Sequence, residues 1–189
     1  MLWPFKVDTV ETHCAIENFL SDEECKSVIE LGLSQNIQKG VTFNGENDPT
    51  RESNIAWIHA TERRADWLFR RITDAGIYVN KTQFHFDLMG LGEGLQFTHY
   101  TAPGGKYGVH TDSGPGACIR KLSFVIQLSN STDYEGGDLT LHLSDDPLVI
   151  PKKKGTICFF PSYVLHEVTK VTKGQRFSVV GWITGPQFK

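Results

Sequence analysis

Lys121-Leu122-Ser123-Phe124-Val125-Ile126-Gln127-Leu128 alternates at a period of two. Leu122, Phe124, Ile126 and Leu128 share one face, and Lys121, Ser123, Val125 and Gln127 share the other, the pattern of a half-buried β-strand. The same alternation returns on both sides of it, over 83–88, 95–100, 138–143, 156–160 and 177–183. Turn signals separate these runs: Pro103-Gly104-Gly105, Gly114-Pro115-Gly116, Glu135-Gly136-Gly137, Lys153-Lys154-Gly155 and Lys173-Gly174. Short strands at regular spacing, preceded by helical sequence, define a mainly β fold with N-terminal helices, a sandwich or barrel.

The helical sequence lies upstream. Ser21 is a good N-cap with Glu24 three residues on, the spacing of a capping box, and Asp22 and Glu23 suit the positive end of a helix. Cys25, Val28, Ile29, Leu31 and Leu33 follow as an apolar stripe that Gly32 or Gly40 can end. A second helix is expected over 62–77, capped by Thr61, with Ala65, Leu68, Phe69 and Ile72 on one face. Between the two, residues 40–54 are polar and turn-rich, a long loop of the kind that serves as a lid.

Composition narrows the class. The chain has 189 residues, 19 Lys+Arg against 22 Asp+Glu, and a net charge of −3. That length buries a real core without staples. The mildly acidic balance argues against nucleic acid, whose binding needs a basic face. Met1-Leu2-Trp3-Pro4-Phe5-Lys6-Val7-Asp8 lacks a secretory pattern, and no run approaches the roughly 20 apolar residues of a membrane span. Cys14, Cys25, Cys118 and Cys158 form no Cys-x-x-Cys pair, so neither a disulfide framework nor a zinc ribbon is expected. A cytoplasmic, reducing setting follows as the expectation.

The chemistry centres on His110-Thr111-Asp112. In extended chain, residues i and i+2 point to the same face, so an imidazole and a carboxylate converge. His166, beyond the strand at 156–160 and the turn Pro161-Ser162, is placed to complete a set of two histidines and one carboxylate. Non-haem Fe(II) oxygenases use that set on one octahedral face, with three positions open. Arg176 stands ten residues beyond His166 and opens the last strand. A guanidinium there suits the far end of a dicarboxylate, which it grips bidentately.

With these residues in place the sequence resembles the Fe(II)- and 2-oxoglutarate-dependent dioxygenases. The likeness is to the prolyl 4-hydroxylase-like branch, and within it to the PKHD-type hydroxylases. It starts at Ile16-Glu17-Asn18-Phe19-Leu20-Ser21-Asp22-Glu23-Glu24-Cys25 and continues through Tyr100, a Gly-rich turn, Tyr107 and the His-x-Asp pair. It ends in Glu135-Gly136-Gly137-Asp138-Leu139, 155–162, His166-Glu167-Val168 and Arg176-Phe177-Ser178. The resemblance implies a double-stranded β-helix (jelly-roll, cupin-like) core in one domain over 1–189, about 1–80 being helical support and about 81–189 the core.

It further implies Fe(II) on His110, Asp112 and His166, which are also the catalytic set, and the distal carboxylate of 2-oxoglutarate on Arg176. Tyr100 would line the cosubstrate pocket and Trp182 would close it. Where a related branch carries a tyrosine, this chain has Gln127, so the second anchor falls to Gln127, Ser123 or Tyr100. Arg51, on the expected lid, and Tyr107 are candidates for substrate contact. The implied reaction hydroxylates a prolyl residue of a peptide or protein, with O2 consumed, 2-oxoglutarate decarboxylated to succinate and CO2, and ascorbate a candidate reductant. The alternatives are the same chemistry on a small molecule or nucleobase, a sensing module without turnover, and a zinc hydrolase. His85, His99 and His142 read as sheet histidines, and Lys152-Lys153-Lys154 as a solvated turn.

Overall fold

The computed structural model describes residues 11–42, 45, 48–114, 117 and 119–187. The chain opens with β1 (Cys14–Ile16), helix α1 (Asp22–Leu33), β2 (Gln38–Lys39), β3 (Arg51–Glu52) and β4 (Asn54–Ile58). A 3-10 turn (Arg63–Ala65) leads into helix α2 (Asp66–Val79), which tails into a π turn (Asn80–Phe84). Ten strands follow: β5 (Gly90–Leu91), β6 (Leu95–Thr101), β7 (Lys106–His110), β8 (Arg120–Gln127), β9 (Tyr134–Glu135), β10 (Leu139–Leu141), β11 (Leu148–Val149), β12 (Ile157–Pro161), β13 (His166–Val168) and β14 (Lys173–Thr184).

Two antiparallel sheets result. The larger runs β1-β12-β8-β14-β6-β4-β2, with β5 and β9 also on β14, and the smaller runs β11-β10-β13-β7-β3. Both helices cover the outer face of the larger sheet. α1 contributes Cys25, Val28 and Leu31, and α2 contributes Leu68, Ile72 and Val79, to one core with Phe97, Leu122, Phe124, Ile126, Phe159, Phe177 and Val179. The capping box at α1 is present: the Ser21 hydroxyl accepts from Glu24 N–H at 3.2 Å and the Glu24 carboxylate from Ser21 N–H at 2.9 Å. Such a cap contributes about 1 kcal/mol. Arg71 then forks onto the same carboxylate at 2.7 and 2.8 Å, tying α2 to the start of α1. Gly32 lies inside α1 rather than ending it, and it packs against the Phe97 ring, where a Cβ would sit 2.3 Å away.

With helices on one face and the smaller sheet on the other, β8 is buried along nearly its whole length. Its second face, Ser123, Val125 and Gln127, therefore turns inward rather than to solvent.

Three expectations are corrected. The stretch 83–88 is not a strand. α2 runs on into the π turn, and the Asn80 amide clamps Phe86, accepting from its N–H at 2.9 Å and donating to its carbonyl at 2.8 Å. Thr61 caps neither element: Glu62 caps the 3-10 turn, its side chain accepting from Arg64 N–H, and α2 follows from Ala65 without a side-chain cap. The helical support expected over about 1–80 also supplies strands, since β1 pairs β12, β4 pairs β6 and β3 pairs β7. The expected lid is partly sheet for the same reason, and its residues 43, 44, 46 and 47, like Cys118, lie outside the described residues. Cys14, Cys25 and Cys158 are free thiols. No helix among the described residues is long and apolar enough to cross a membrane.

Candidate active site

Strand register builds the site. β7 and β13 run antiparallel with His110 opposite His166, and the two imidazole centroids lie 4.2 Å apart. His110 Nδ1 meets the Gly108 carbonyl at 2.8 Å and His166 Nδ1 meets the Val164 carbonyl at 2.9 Å. A carbonyl only accepts, so each Nδ1 carries the proton and each Nε2 presents a lone pair. Asp112 follows β7 and is fixed by its N–H, which donates to the Ser162 carbonyl at 3.0 Å. Its two carboxylate oxygens lie 3.7 Å from His110 Nε2 and 3.4 Å from His166 Nε2. The three ligand atoms all lie within 4.8 Å of one another.

Two imidazole lone pairs and a carboxylate thus face one point, an arrangement complementary to a cation. Burial, then the neighbouring His166 imidazole, pushes the His110 pKa down to about 4. Burial opposes ionisation of Asp112, but the two imidazoles and the Ser123 hydroxyl outweigh it and hold its pKa below the ordinary carboxylate value. At neutral pH the site therefore stands neutral at His110 and anionic at Asp112, the states that metal ligation requires. The Trp182 indole N–H also favours the anion, though it lies outside hydrogen-bonding geometry.

Ser123 is the residue that sequence reasoning missed in this role. Its hydroxyl donates to Asp112 Oδ2 at 2.8 Å and meets the Ser162 hydroxyl at 2.9 Å. The alternation of β8 placed it on the inward face, but only the sheet pairing brings Ser162 beside it. Losing such an outer partner costs about 10–100-fold in metal affinity. Ser123→Ala is expected to weaken Fe(II) binding about tenfold with the fold intact, as measured by competition with a chelating dye.

The ligands open onto a cavity of about 670 Å3 lined also by Arg51, Tyr100, Tyr107, Arg120, Arg176 and Trp182. Arg176 projects from β14 opposite Tyr100 on β6, and is only 1% exposed. It donates to the Ser178 hydroxyl at 3.2 Å and to the Gln127 side-chain carbonyl at 2.9 Å. Its Nε is buried without a partner, and so is the Gln127 Nε2. No carboxylate among the described residues pairs with it. A buried guanidinium left so is costly unless an anion arrives. Gln127 does not line the cavity but backs Arg176 from below, and Ser123 is committed to Asp112. Trp182 carries the Arg120 guanidinium 3.7 Å above its ring, and Glu93 forks onto that guanidinium at 2.6 and 2.5 Å.

Arg51 was expected on an exposed loop. It instead belongs to β3 and is buried at 7% exposure, with its guanidinium 4.4 Å from the Tyr107 ring. That ring stacks on His110 at 3.6 Å. The remaining histidines stay out of the site: His99 bonds Gln175 and stacks on Phe177, and His142 pairs with Glu167. His85 is not in a sheet. It ends the π turn in left-handed backbone at φ 56°. Lys152, Lys153 and Lys154 are each spent on an acidic partner, Asp138, Glu17 and Asp22.

Residues 95–184, which carry all three candidate ligands and Arg176, match the 2OG-Fe(II) oxygenase superfamily model. Over that segment, just under half of the chain, the sequence is similar to the 2OG-Fe(II) oxygenase superfamily. The curated relatives it resembles are named PKHD-type hydroxylases. A PKHD-type hydroxylase of Picosynechococcus sp. is 40% identical over 90 residues, covering 47% of this chain and 41% of that one. Another, of Prochlorococcus marinus, is 33% identical over 139 residues, covering 68% and 62%. The chain thus spans only about two fifths of the first of these relatives, at 41%. In fold it is similar to a prolyl-4-hydroxylase of Pseudomonas putida, with a TM-score of 0.75, 20% identity and 93% of each chain covered. A prolyl hydroxylase of Trichoplax adhaerens bound to a peptide fragment of hypoxia inducible factor gives a TM-score of 0.75 at 23% identity, covering 92% of this chain and 83% of that one. The core is accordingly the double-stranded β-helix of these oxygenases.

Proposed function

We propose that this protein is an Fe(II)- and 2-oxoglutarate-dependent dioxygenase that hydroxylates a prolyl residue of a peptide or protein. One observation carries the reading: a cation-shaped set of two histidines and one carboxylate shares a cavity with a buried arginine that lacks an acid. When bound, Fe(II) and 2-oxoglutarate supply oxygen activation, with succinate and CO2 released. The chain's own residues do the rest. His110, Asp112 and His166 hold the metal from one side, and Ser123 and Ser162 fix the Asp112 carboxylate. Arg176, backed by Gln127 and Ser178, receives the distal carboxylate of 2-oxoglutarate, and Tyr100 and Trp182 wall the pocket around it. Ile55, Val125, Leu139, Val168 and Val180 line the same cavity and limit water.

The prolyl target is supported by the names of the structural neighbours, and a peptide partner by the complex of one of them. Tyr107 and Trp57 add aromatic walls that suit a pyrrolidine ring. The three cysteines among the described residues are free and support a cytoplasmic, reducing setting in which Fe(II) persists, with ascorbate as a reductant that extends activity.

The test is anaerobic mixing with Fe(II) and 2-oxoglutarate, followed by admission of O2 with proline-containing peptides. A weak visible charge-transfer band is expected, absent in His110→Ala, and succinate release should rise with peptide. Absence of the band at saturating ligand overturns the oxygenase reading. A band without peptide-stimulated succinate overturns the peptide hydroxylase reading and favours a sensor or a small-molecule enzyme.

A further inference from the structure

The charges around the cavity do not balance. Arg51, Arg120 and Arg176 line it, and Asp112 is the one carboxylate among the described lining residues. Asp112 belongs to the metal ligands, Arg120 is neutralised by Glu93, and Arg176 is matched by the cosubstrate. Arg51 is left over. Its guanidinium donates to the Ser53 hydroxyl at 2.9 Å, the Val41 carbonyl at 3.1 Å and the Gln96 side-chain carbonyl at 2.8 Å, all neutral acceptors. Three of its five N–H groups are thereby used, and one remains on each terminal nitrogen. No ion pair joins it to a carboxylate of the described residues, and it faces the cavity beside Tyr107. Holding a cation at 7% exposure against neutral acceptors and an aromatic face costs desolvation that an arriving anion would further offset.

We infer that Arg51 is a substrate-recognition residue for a carboxylate carried beside the carbon to be oxidised. The position sets the distance. The Arg51 guanidinium lies over the Tyr107 ring, and that ring lies on His110, so the carboxylate site is one aromatic ring removed from the metal ligands. That separation suits the α-carboxylate of the target residue itself or the side chain of an acidic neighbour, and not a distant charge. A neutral peptide would leave Arg51 desolvated and unpaired, so the site discriminates against it as well as favouring the acid. This inference rests on the hydroxylase reading above and names the substrate's chemistry.

The experiment is calorimetric titration of the Zn(II)-substituted, 2-oxoglutarate-saturated protein, which does not turn over. One pair of probes is N-acetylproline and its amide. The other is N-acetyl-aspartyl-prolinamide and N-acetyl-asparaginyl-prolinamide. In at least one pair the carboxylate form is expected to bind about tenfold or more tightly, and the pair that shows it identifies the source of the carboxylate. In Arg51→Gln the preference should fall below about twofold, Arg51→Lys should restore part of it, and affinity for 2-oxoglutarate should stay within about twofold. Equal binding of acid and neutral partners, no binding of any probe, or a preference that survives Arg51→Gln overturns the proposal. A loss of 2-oxoglutarate affinity as large as that of Arg176→Gln also overturns it, because the charge would then serve the cosubstrate. If the acids bind selectively but no prolyl peptide gains oxygen with the Fe(II) enzyme, the carboxylate site stands and the prolyl assignment fails.

Discussion

Arg176→Gln raises the KM for 2-oxoglutarate by about 100-fold or more, since two charge-assisted hydrogen bonds to a carboxylate contribute about 1.5–3 kcal/mol each. Affinity for Fe(II) alone should change little, because Arg176 touches none of the three ligands. The ligand-free protein should hardly notice the change, with Tm moving by less than about 4 °C. Losing the bonds to Gln127 and Ser178 is offset by relief of a buried, unpaired cation. Succinate release at graded 2-oxoglutarate and a melting curve without ligands measure the two effects. A KM within about threefold of the parent would remove Arg176 from the cosubstrate site. A collapse in Tm would show that its role is structural.

Asp112→Asn should abolish the gain in Tm that Fe(II) or Mn(II) gives the parent protein. The parent is expected to gain about 2.7 kcal/mol at metal concentrations a hundredfold above Kd. The substitution keeps the shape of the side chain and its place beside Ser123, but removes the only anionic ligand. Affinity should fall by more than the roughly 100-fold that bounds outer-partner losses, and hence well below that of Ser123→Ala. Retention of the metal-induced shift, or an affinity within about tenfold of the parent, would show that the cation sits elsewhere. Because the free site already holds His110 neutral and Asp112 charged at pH 7, the deficit should appear at neutral pH and should not be cured by raising it.

The strands were legible where alternation was strong and both neighbours supplied turns. β6, β8, β12 and β14 appear within a few residues of their expected places, and α1 begins at the expected cap. The stretch 83–88 failed because Phe84 and Phe86 do alternate, yet they pack into the core from a helical tail clamped by Asn80. Periodicity over six residues does not distinguish that tail from a strand. The two-residue strands β2 and β3 carry too little pattern to be read at all. They exist because longer neighbours, β4 and β7, offer them an edge.

The sequence by itself pointed to the candidate metal ligands and the arginine ten residues after the second histidine, and determined the class of fold, because these depend on residue type, spacing and alternation. Only the tertiary structure decided what the polar positions of the strands face. Alternation put Ser123 and Gln127 on one face of β8 without saying what covers it; helices cover one side of the sheet and the second sheet the other, so these two and Ser178 line or underlie the cavity. The same holds for Arg51. In sequence it is one charge in a polar stretch, and pairing of β3 with β7 buries it over Tyr107. Whether a charged side chain is solvated or stored for a ligand depends on what packs around it, and long-range strand pairing, which leaves no mark in local sequence, determines that.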